Sequence, residues 1–299
     1  MINKDAFSGF HPSVSMVYFV VVIGFSMFFM HPITLAISLV CSFTYAVYLS
    51  GKRAVRMGLV FMLPMLVLTA SLNPLFNHQG ATILAYLPNG NPLTLESIMF
   101  GIAASVMLIT VISWFSCFNA VMTSDKFVYL FGRVVPSLSL ILSMALRFVP
   151  RFMAQIKIVS NAQKGIGRDI SNGNILQKAK HGIKILSIMV TWALENAIET
   201  ADSMKSRGYG LPGRTAFSVF RFTRRDGLAM AYILICATTI LTGAVLEIYR
   251  FRYFPTIRHL SDSLYASILL FILYFILCVF PLIVNVKEDI TWRHIKSKI

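Results

Sequence analysis

Long apolar runs alternate with short polar breaks along this chain, and the runs have the length of membrane spans. A helix that crosses the hydrocarbon core of a bilayer needs about 20 mostly apolar residues. Six runs reach or approach that length, and they comprise residues 14–30, 33–49, 58–72, 95–122, 228–246 and 264–284. The sequence therefore predicts an all-α polytopic membrane protein with about six transmembrane helices.

A basic segment, residues 124–225, separates the first four spans from the last two. It contains 16 Lys or Arg against 5 Asp or Glu, a net charge of +11. Because Lys and Arg remain on the cytoplasmic side of a membrane, we expect this segment there. The chain then comprises a membrane domain at 1–123, a cytoplasmic or interfacial helical domain at 124–225, and a second membrane part with the C-terminal tail at 226–299.

Two long helices are predicted within the basic segment. Pro150 lacks a backbone N–H and is expected to end the preceding helix, so the first long helix begins at the next residue and covers 151–164. Residues 171–174, Ser-Asn-Gly-Asn, have the composition of a turn. After this turn, residues 175–207 form the second predicted helix, about 50 Å long at 1.5 Å per residue.

The start of the basic segment contains one further apolar stretch, residues 127–146. Arg133 and Pro136 interrupt it. If it crossed the membrane, the basic segment would be exported, contrary to its charge. An interfacial or half-buried helix is the better interpretation.

The short loops predict the orientation of the spans. Lys52, Arg53 and Arg56 follow the second span, whereas loop 73–94 contains no Lys or Arg. The former loop is therefore expected in the cytoplasm, the latter outside, and both termini in the cytoplasm. One loop violates the rule, because the loop between the last two spans contains Arg250, Arg252 and Arg258.

The composition indicates an integral membrane protein rather than a nucleic-acid-binding protein. Hydrophobic residues make up 57% of the chain, charged residues only 13%, and the mean hydropathy is +0.72. The net charge of +15 comes from residues that flank apolar runs, where they orient spans and meet anionic lipid. No nucleic-acid partner is therefore expected. The four cysteines lie inside apolar runs, and we interpret them as small buried hydrophobic residues.

Catalytic, metal and cofactor sites are not expected. The apolar cores of the predicted spans contain no Asp, Glu, Lys or Arg, which argues against a proton-coupled carrier or a buried acid–base site. His31 and His78 stand alone at loop ends and are interpreted as interfacial residues, not metal ligands. The stretch 208–213 matches a dinucleotide-binding glycine pattern, but a predicted helix rather than a strand precedes it. A glycine-terminated helix is the simpler interpretation, and the chain is expected not to be an enzyme.

Several short motifs resemble the transmembrane T component of energy-coupling factor (ECF) transporters. No single motif is decisive, but their order around a basic cytoplasmic segment is specific and covers most of the chain. The motifs are Asn73-Pro74-Leu75-Phe76-Asn77-His78, Tyr86-Leu87-Pro88-Asn89-Gly90-Asn91-Pro92, Arg147-Phe148-Val149-Pro150, Ala162-Gln163-Lys164, Glu199-Thr200-Ala201-Asp202-Ser203-Met204 and Ser206-Arg207-Gly208-Tyr209.

The resemblance implies a scaffold that joins two ABC-type ATPases to a substrate-binding S component for uptake of a vitamin or a metal ion. In this family, two long cytoplasmic coupling helices each end in a short Ala-Arg-Gly-like motif, whose arginine enters a groove on one ATPase. Ser206, Arg207 and Gly208 match the second motif, with Ser in place of Ala. A guanidinium suits this role because it forms paired hydrogen bonds with a carboxylate.

The first motif departs from the family pattern. It falls on Gly165, Ile166 and Gly167, so an isoleucine stands where the arginine is expected and Arg168 follows two positions later. Two possibilities remain open. Arg168 substitutes from a loop, or this contact is apolar and weaker, which would leave the two ATPase attachments unequal.

Two other classes of function, a self-contained secondary transporter and a membrane-bound enzyme, fit the sequence less well than a coupling subunit. A self-contained secondary transporter would work without ATPases, but the spans lack ionisable groups and no repeat relates the halves of the chain. A membrane-bound enzyme would need acid, base or metal-binding residues clustered at one membrane face, and the sequence contains no evident cluster. The leading hypothesis is therefore the coupling subunit, whose substrate the sequence does not identify.

Overall fold

The computed structural model describes residues 5–86, 90–134, 136–167, 174–209, 211, 220–248, 250–260 and 264–296. The chain divides into two compact units. The membrane unit consists of Met1–Thr123 and Phe220–Ile299, and the coupling unit consists of Ser124–Val219.

Nine helices account for most of the described part of the chain. They are α1 (Pro12–Phe28), α2 (Pro32–Ser50), α3 (Lys52–Phe76), α4 (Leu95–Val121), α5 (Ser124–Val134), α6 (Pro136–Gly165), α7 (Ile175–Ser206), α8 (Arg224–Val245) and α9 (Leu264–Lys296). Five of them, α2, α3, α4, α8 and α9, are long and apolar enough to cross a membrane, and α1 is a shorter apolar helix of 17 residues. These six helices confirm the predicted all-α polytopic membrane protein.

Histidine and proline start the first two helices. His11 and His31 each accept a hydrogen bond from the backbone N–H two residues later, through Nδ1, and a proline follows each of them. A proline is tolerated at the first helical position because its missing N–H would have no partner there. The expected break between the first two spans therefore lies at His31, where the sequence places it.

The third span is longer than its predicted 15-residue core at 58–72. It begins at Lys52 and includes a π-helical turn at Gly58–Met62. Pro64 lies just after this π-helical turn, and the helix continues through it as far as Phe76. Most large side chains of α3 are exposed, for example Phe61 at 69%.

The last span also extends past its predicted end at residue 284, because α9 continues as far as Lys296. Two short antiparallel hairpins, which the apolar pattern did not predict, complete the membrane unit. Strand β1 (Ile83–Tyr86) pairs with β2 (Pro92–Thr94), and β3 (Arg250–Arg252) pairs with β4 (Arg258–Leu260).

A buried polar network connects four helices of the membrane unit. The indole Nε1–H of Trp114 donates to Ser38 Oγ at 2.9 Å, and Ser38 Oγ lies 2.7 Å from Ser26 Oγ. The hydroxyl of Tyr274 lies 3.3 Å from the same Ser26 oxygen. Hydrogen bonds between helices stabilise membrane bundles by on the order of 1 kcal/mol each. The network therefore helps to hold α1, α2, α4 and α9 together.

The N-terminal segment holds the start of α8. The carboxylate of Asp226 accepts a hydrogen bond from the backbone N–H of His11 at 2.9 Å. Its other oxygen accepts from the backbone and hydroxyl of Thr223, at 2.8 and 2.7 Å. The guanidinium of Arg225 lies over the ring of Phe10, 4.1 Å from its centroid. The chain thus re-enters the membrane unit at a firmly held point.

In the coupling unit, the prediction that Pro150 ends a helix is wrong. Helix α6 runs without interruption from Pro136 to Gly165 and contains Pro150. A proline inside a helix removes one hydrogen bond, but a helix of 30 residues retains those of the turns on either side. The predicted interfacial stretch at 127–146 is accordingly divided between α5 and the first part of α6.

Candidate functional site

The end of α7 is closed by a glycine in the left-handed conformation. Gly208 has φ of +75°, and its N–H donates to the carbonyl of Lys205 at 3.0 Å. The N–H of Tyr209 reaches back to the carbonyl of Met204, also at 3.0 Å. These two bonds form a Schellman motif, which satisfies carbonyls that the last turn would otherwise leave unpaired. The predicted end of the second long helix is confirmed.

Arg207 is the last residue before this glycine. Its backbone (φ −86°, ψ 10°) has left the helical conformation, and its side chain is exposed. Ser206 precedes it, and the Ser206 hydroxyl donates back to the carbonyl of Ser203 at 2.9 Å. The guanidinium therefore lies at the tip of a 32-residue helix, where it can contact a partner.

The end of α6 repeats this backbone arrangement. Gly167 has φ of +78°, and its N–H donates to the carbonyl of Lys164 at 3.0 Å. Ile166 precedes this glycine as Arg207 precedes Gly208, and its side chain is 64% exposed. The two helices thus present one side chain each at an equivalent position, an isoleucine at one tip and an arginine at the other.

The remaining predicted site residues divide between these two tips. Gly165 ends α6, and a Cβ added there would meet no atom within 4 Å. Arg168, the proposed substitute for the missing arginine, lies outside the described residues. The glycine pattern at 208–213 follows a helix, as predicted, although Gly210 and residues 212–219 also lie outside the described part of the chain.

An apolar surface between the helices joins α6 to α7. The ring of Phe152 meets the indole of Trp192 edge-on at 5.4 Å, and the guanidinium of Arg151 lies 5.6 Å from the same indole. Ile185 and Met189 of α7 are buried. These contacts pair the two long helices within the coupling unit.

A second face of α7, which was not predicted from the sequence, is apolar and exposed. Ile183, Leu186, Val190 and Leu194 recur every three or four residues and so share one side of the helix. Between 51% and 67% of each side chain is exposed. These four residues, the apolar stripe, extend over about 16 Å of the helix. The spacing was visible in the sequence, but it does not distinguish an exposed stripe from a buried one.

The isolated histidines have local partners. The Nε2 atom of His78 lies 3.0 Å from the side-chain amide of Asn91, and the His31 ring lies 4.8 Å from that of Phe271. Among the residues that the structure describes, no three His, Cys, Asp or Glu residues are grouped as a metal site requires. The four cysteines are buried and unpaired.

Comparison with known proteins identifies similar chains. The sequence profile of the CbiQ family, described as cobalt transport protein, matches residues 6–219. Several similar proteins carry the name energy-coupling factor transporter transmembrane protein EcfT, among them the following three. The one from Lacticaseibacillus paracasei is 38% identical over 113 residues, covering 38% of this chain and 41% of the relative. The one from Lactobacillus helveticus is 34% identical over 108 residues, covering 36% and 39%.

The third of these relatives, from Streptococcus thermophilus, is 34% identical over 134 residues, which cover 44% of this chain and 51% of the relative. The matched stretches thus span between about two fifths and one half of the length of these curated relatives.

Proposed function

The chain belongs to the CbiQ family of cobalt transport proteins, and we propose that it is the non-catalytic transmembrane coupling subunit of an ECF-type ABC importer. In this role it links two ABC-type ATPases to a substrate-binding S component that takes up a vitamin or a metal ion. ATP is hydrolysed by the partners, and the coupling unit transmits their movement to the membrane.

The exposed Arg207 at the tip of α7 carries this proposal. A guanidinium held one residue before a left-handed glycine is placed by the backbone and does not depend on a side-chain contact within the unit. It can form two parallel hydrogen bonds with a carboxylate in an ATPase groove, which defines orientation as well as affinity. A paired contact of this kind would transmit both translation and rotation of the ATPase to α7.

Arg207→Glu tests the proposal directly. Repulsion from the ATPase carboxylate and loss of charge-assisted hydrogen bonds, each worth about 1.5–3 kcal/mol, should weaken ATPase co-purification by about tenfold or more and abolish uptake. Lys205→Glu is the matched control, because it makes the same charge change in the same turn on another side of the helix, and it should retain both properties. Intact uptake and ATPase binding in Arg207→Glu would refute the assignment.

For the tip of α6, both possibilities remain part of the proposal. Ile166 supplies an exposed apolar contact, or Arg168 supplies the charge from the following loop. If Ile166 makes the contact, the two ATPases are attached by different chemistry and the attachment through Arg207 is the stronger. If Arg168 makes it, both attachments use a guanidinium.

The apolar stripe of α7 is the surface that we assign to the S component. Val149 and Met153 of α6 are also exposed, at 59% and 58%, so both long helices offer apolar surface to a partner. An S component is a small hydrophobic membrane protein, and apolar surface of this kind is matched to it.

Val190→Glu combined with Leu194→Glu should separate the two attachments. Two buried carboxylates in an apolar interface are costly, so the S component should be lost by about tenfold or more while both ATPases remain bound. Thr191→Glu is the control, since this exposed residue lies between the two and off the stripe. Co-purification of the S component at the wild-type level with the double variant would remove the stripe from the interface.

The protein is a multi-pass membrane protein, and we place its coupling unit and both termini in the cytoplasm. The net charge of +11 in residues 124–225 supports this orientation. A membrane-impermeant maleimide applied to intact cells should label Gln79→Cys on the outside and leave Lys52→Cys in the cytoplasm unlabelled. The four native cysteines are buried and should add little background labelling. The reverse pattern would invert the topology.

A further inference from the structure

Two arginines lie directly opposite one another on the β3–β4 hairpin. The strand register pairs Arg252 with Arg258. Side chains of directly opposed residues emerge on the same face of a hairpin, and their Cβ atoms are about 4.5–5.5 Å apart. Two like charges in such a pair repel, so this arrangement calls for a compensating anion.

The protein supplies no such anion within its described residues. Both side chains are exposed, and neither has an ion pair, hydrogen bond or ring contact to another residue that the structure describes. Neighbouring loop 73–94 contains no Lys or Arg. Among the residues that the structure describes, the two guanidinium groups therefore form a local concentration of positive charge without a neutralising partner.

The opposite face of the hairpin anchors it to the membrane unit. Tyr253 is 6% exposed, and its hydroxyl donates to the carbonyl of Met30 at 2.8 Å. Burial raises the pKa of Tyr253 to about 12. The ring of Phe251 lies 5.3 Å from that of His31. Because residues alternate between the faces of a strand, these anchors direct Arg252 outward.

The hairpin lies at the level where the spans end. It connects α8 to α9, and the apolar ends of these helices are exposed, with Val245 at 74% and Tyr265 at 86%. Aromatic residues such as Tyr265 favour the boundary between lipid tails and water. The ring of Tyr253 also lies 5.5 Å from that of Phe100 in the second turn of α4, whereas the basic segment follows the other end of that helix.

We propose that Arg252 and Arg258 together bind the phosphate of a phospholipid headgroup, at the end of the helical bundle opposite Thr123 and Phe220. Paired guanidinium groups match the geometry of a phosphate, and the anion removes the repulsion between them. The apolar helix ends on both sides favour a lipid over free phosphate in water. The site accounts for the basic loop that violates the charge rule, and it anchors the scaffold to one leaflet.

The test uses the full chain in vesicles containing equal parts phosphatidylglycerol and a phosphate-free diglucosyl lipid. A photoreactive benzoylphenylalanine replaces Ile257, which lies between the strands and is 36% exposed. The lipid adducts are then counted by mass spectrometry. Phospholipid adducts should exceed glycolipid adducts by about tenfold, and Arg252→Gln with Arg258→Gln should reduce the ratio to about one while leaving the total adduct yield unchanged.

Arg53→Gln with Arg56→Gln removes two exposed arginines elsewhere and should leave the ratio high. An equal ratio for wild type and the hairpin variant would overturn the site. Abolition of the enrichment by millimolar inorganic phosphate would identify a free-phosphate site and overturn the lipid assignment.

Discussion

The two tips of the coupling unit have the same backbone and different chemistry. Helices α6 and α7 both end at a left-handed glycine, with φ of +78° at Gly167 and +75° at Gly208. In both, the N–H of that glycine donates to the carbonyl three residues earlier at 3.0 Å. The residue before the glycine is exposed in each case, but it is Ile166 at one tip and Arg207 at the other.

This difference shows that the terminating glycine and the residue before it have separate roles. The glycine determines where the helix ends and where the preceding side chain projects. The preceding residue determines what that side chain can bind. An isoleucine offers only non-directional apolar contact, whereas an arginine offers directional hydrogen bonds. Where Ile166 makes the proposed contact, equal backbone geometry therefore produces unequal ATPase attachments.

Of the changes that compare the two tips, those at the glycines are expected to have the larger effect. A side chain in the left-handed conformation costs about 1–2 kcal/mol. At Gly208 the added Cβ would also approach Leu211 to 3.1 Å, whereas at Gly167 it would meet nothing within 4 Å. Gly208→Val should therefore displace Arg207 and reduce uptake by about tenfold or more, and Gly167→Val should reduce it less. Equal losses of uptake would show that side-chain chemistry does not distinguish the tips.

A smaller effect is expected from changes that make the tips alike. Ile166→Arg places an arginine at the equivalent backbone position and should, under the proposed function, strengthen ATPase retention by a few-fold, as one surface charge pair of up to about 1 kcal/mol would do. Arg168→Glu decides between the two open possibilities. If Arg168 substitutes for the missing arginine, this variant should weaken ATPase binding, and if the contact is apolar, it should have little effect. An Ile166→Arg variant that loses uptake would argue for an apolar pocket.

The sequence predicted those features that depend on composition and local chemistry. The six apolar runs correspond to α1–α4, α8 and α9, because a bilayer demands continuous apolar length. The resemblance to T components is confirmed by the family match and the named relatives. The end of α7 was predicted within one residue, because a glycine such as Gly208 readily adopts the left-handed conformation that ends a helix.

Features that depend on longer context were not predictable in the same way. Pro150 is a strong local signal for a helix end, yet the hydrogen bonds of the turns on both sides of it keep α6 continuous. The pairing of Arg252 with Arg258 depends on a strand register that three-residue strands do not reveal in the sequence. Whether the apolar stripe of α7 is exposed depends on the side of α7 that faces α6, and periodicity alone does not specify that side.

The central claim is that Arg207 makes a stronger ATPase contact than Ile166. Native mass spectrometry of the complex purified in mild detergent tests it by counting ATPases bound to wild type, Arg207→Glu and Ile166→Glu. The account predicts that Arg207→Glu reduces doubly loaded complexes by about tenfold, and that Ile166→Glu reduces them by less. Equal losses in the two variants, or two ATPases retained on Arg207→Glu, would contradict it.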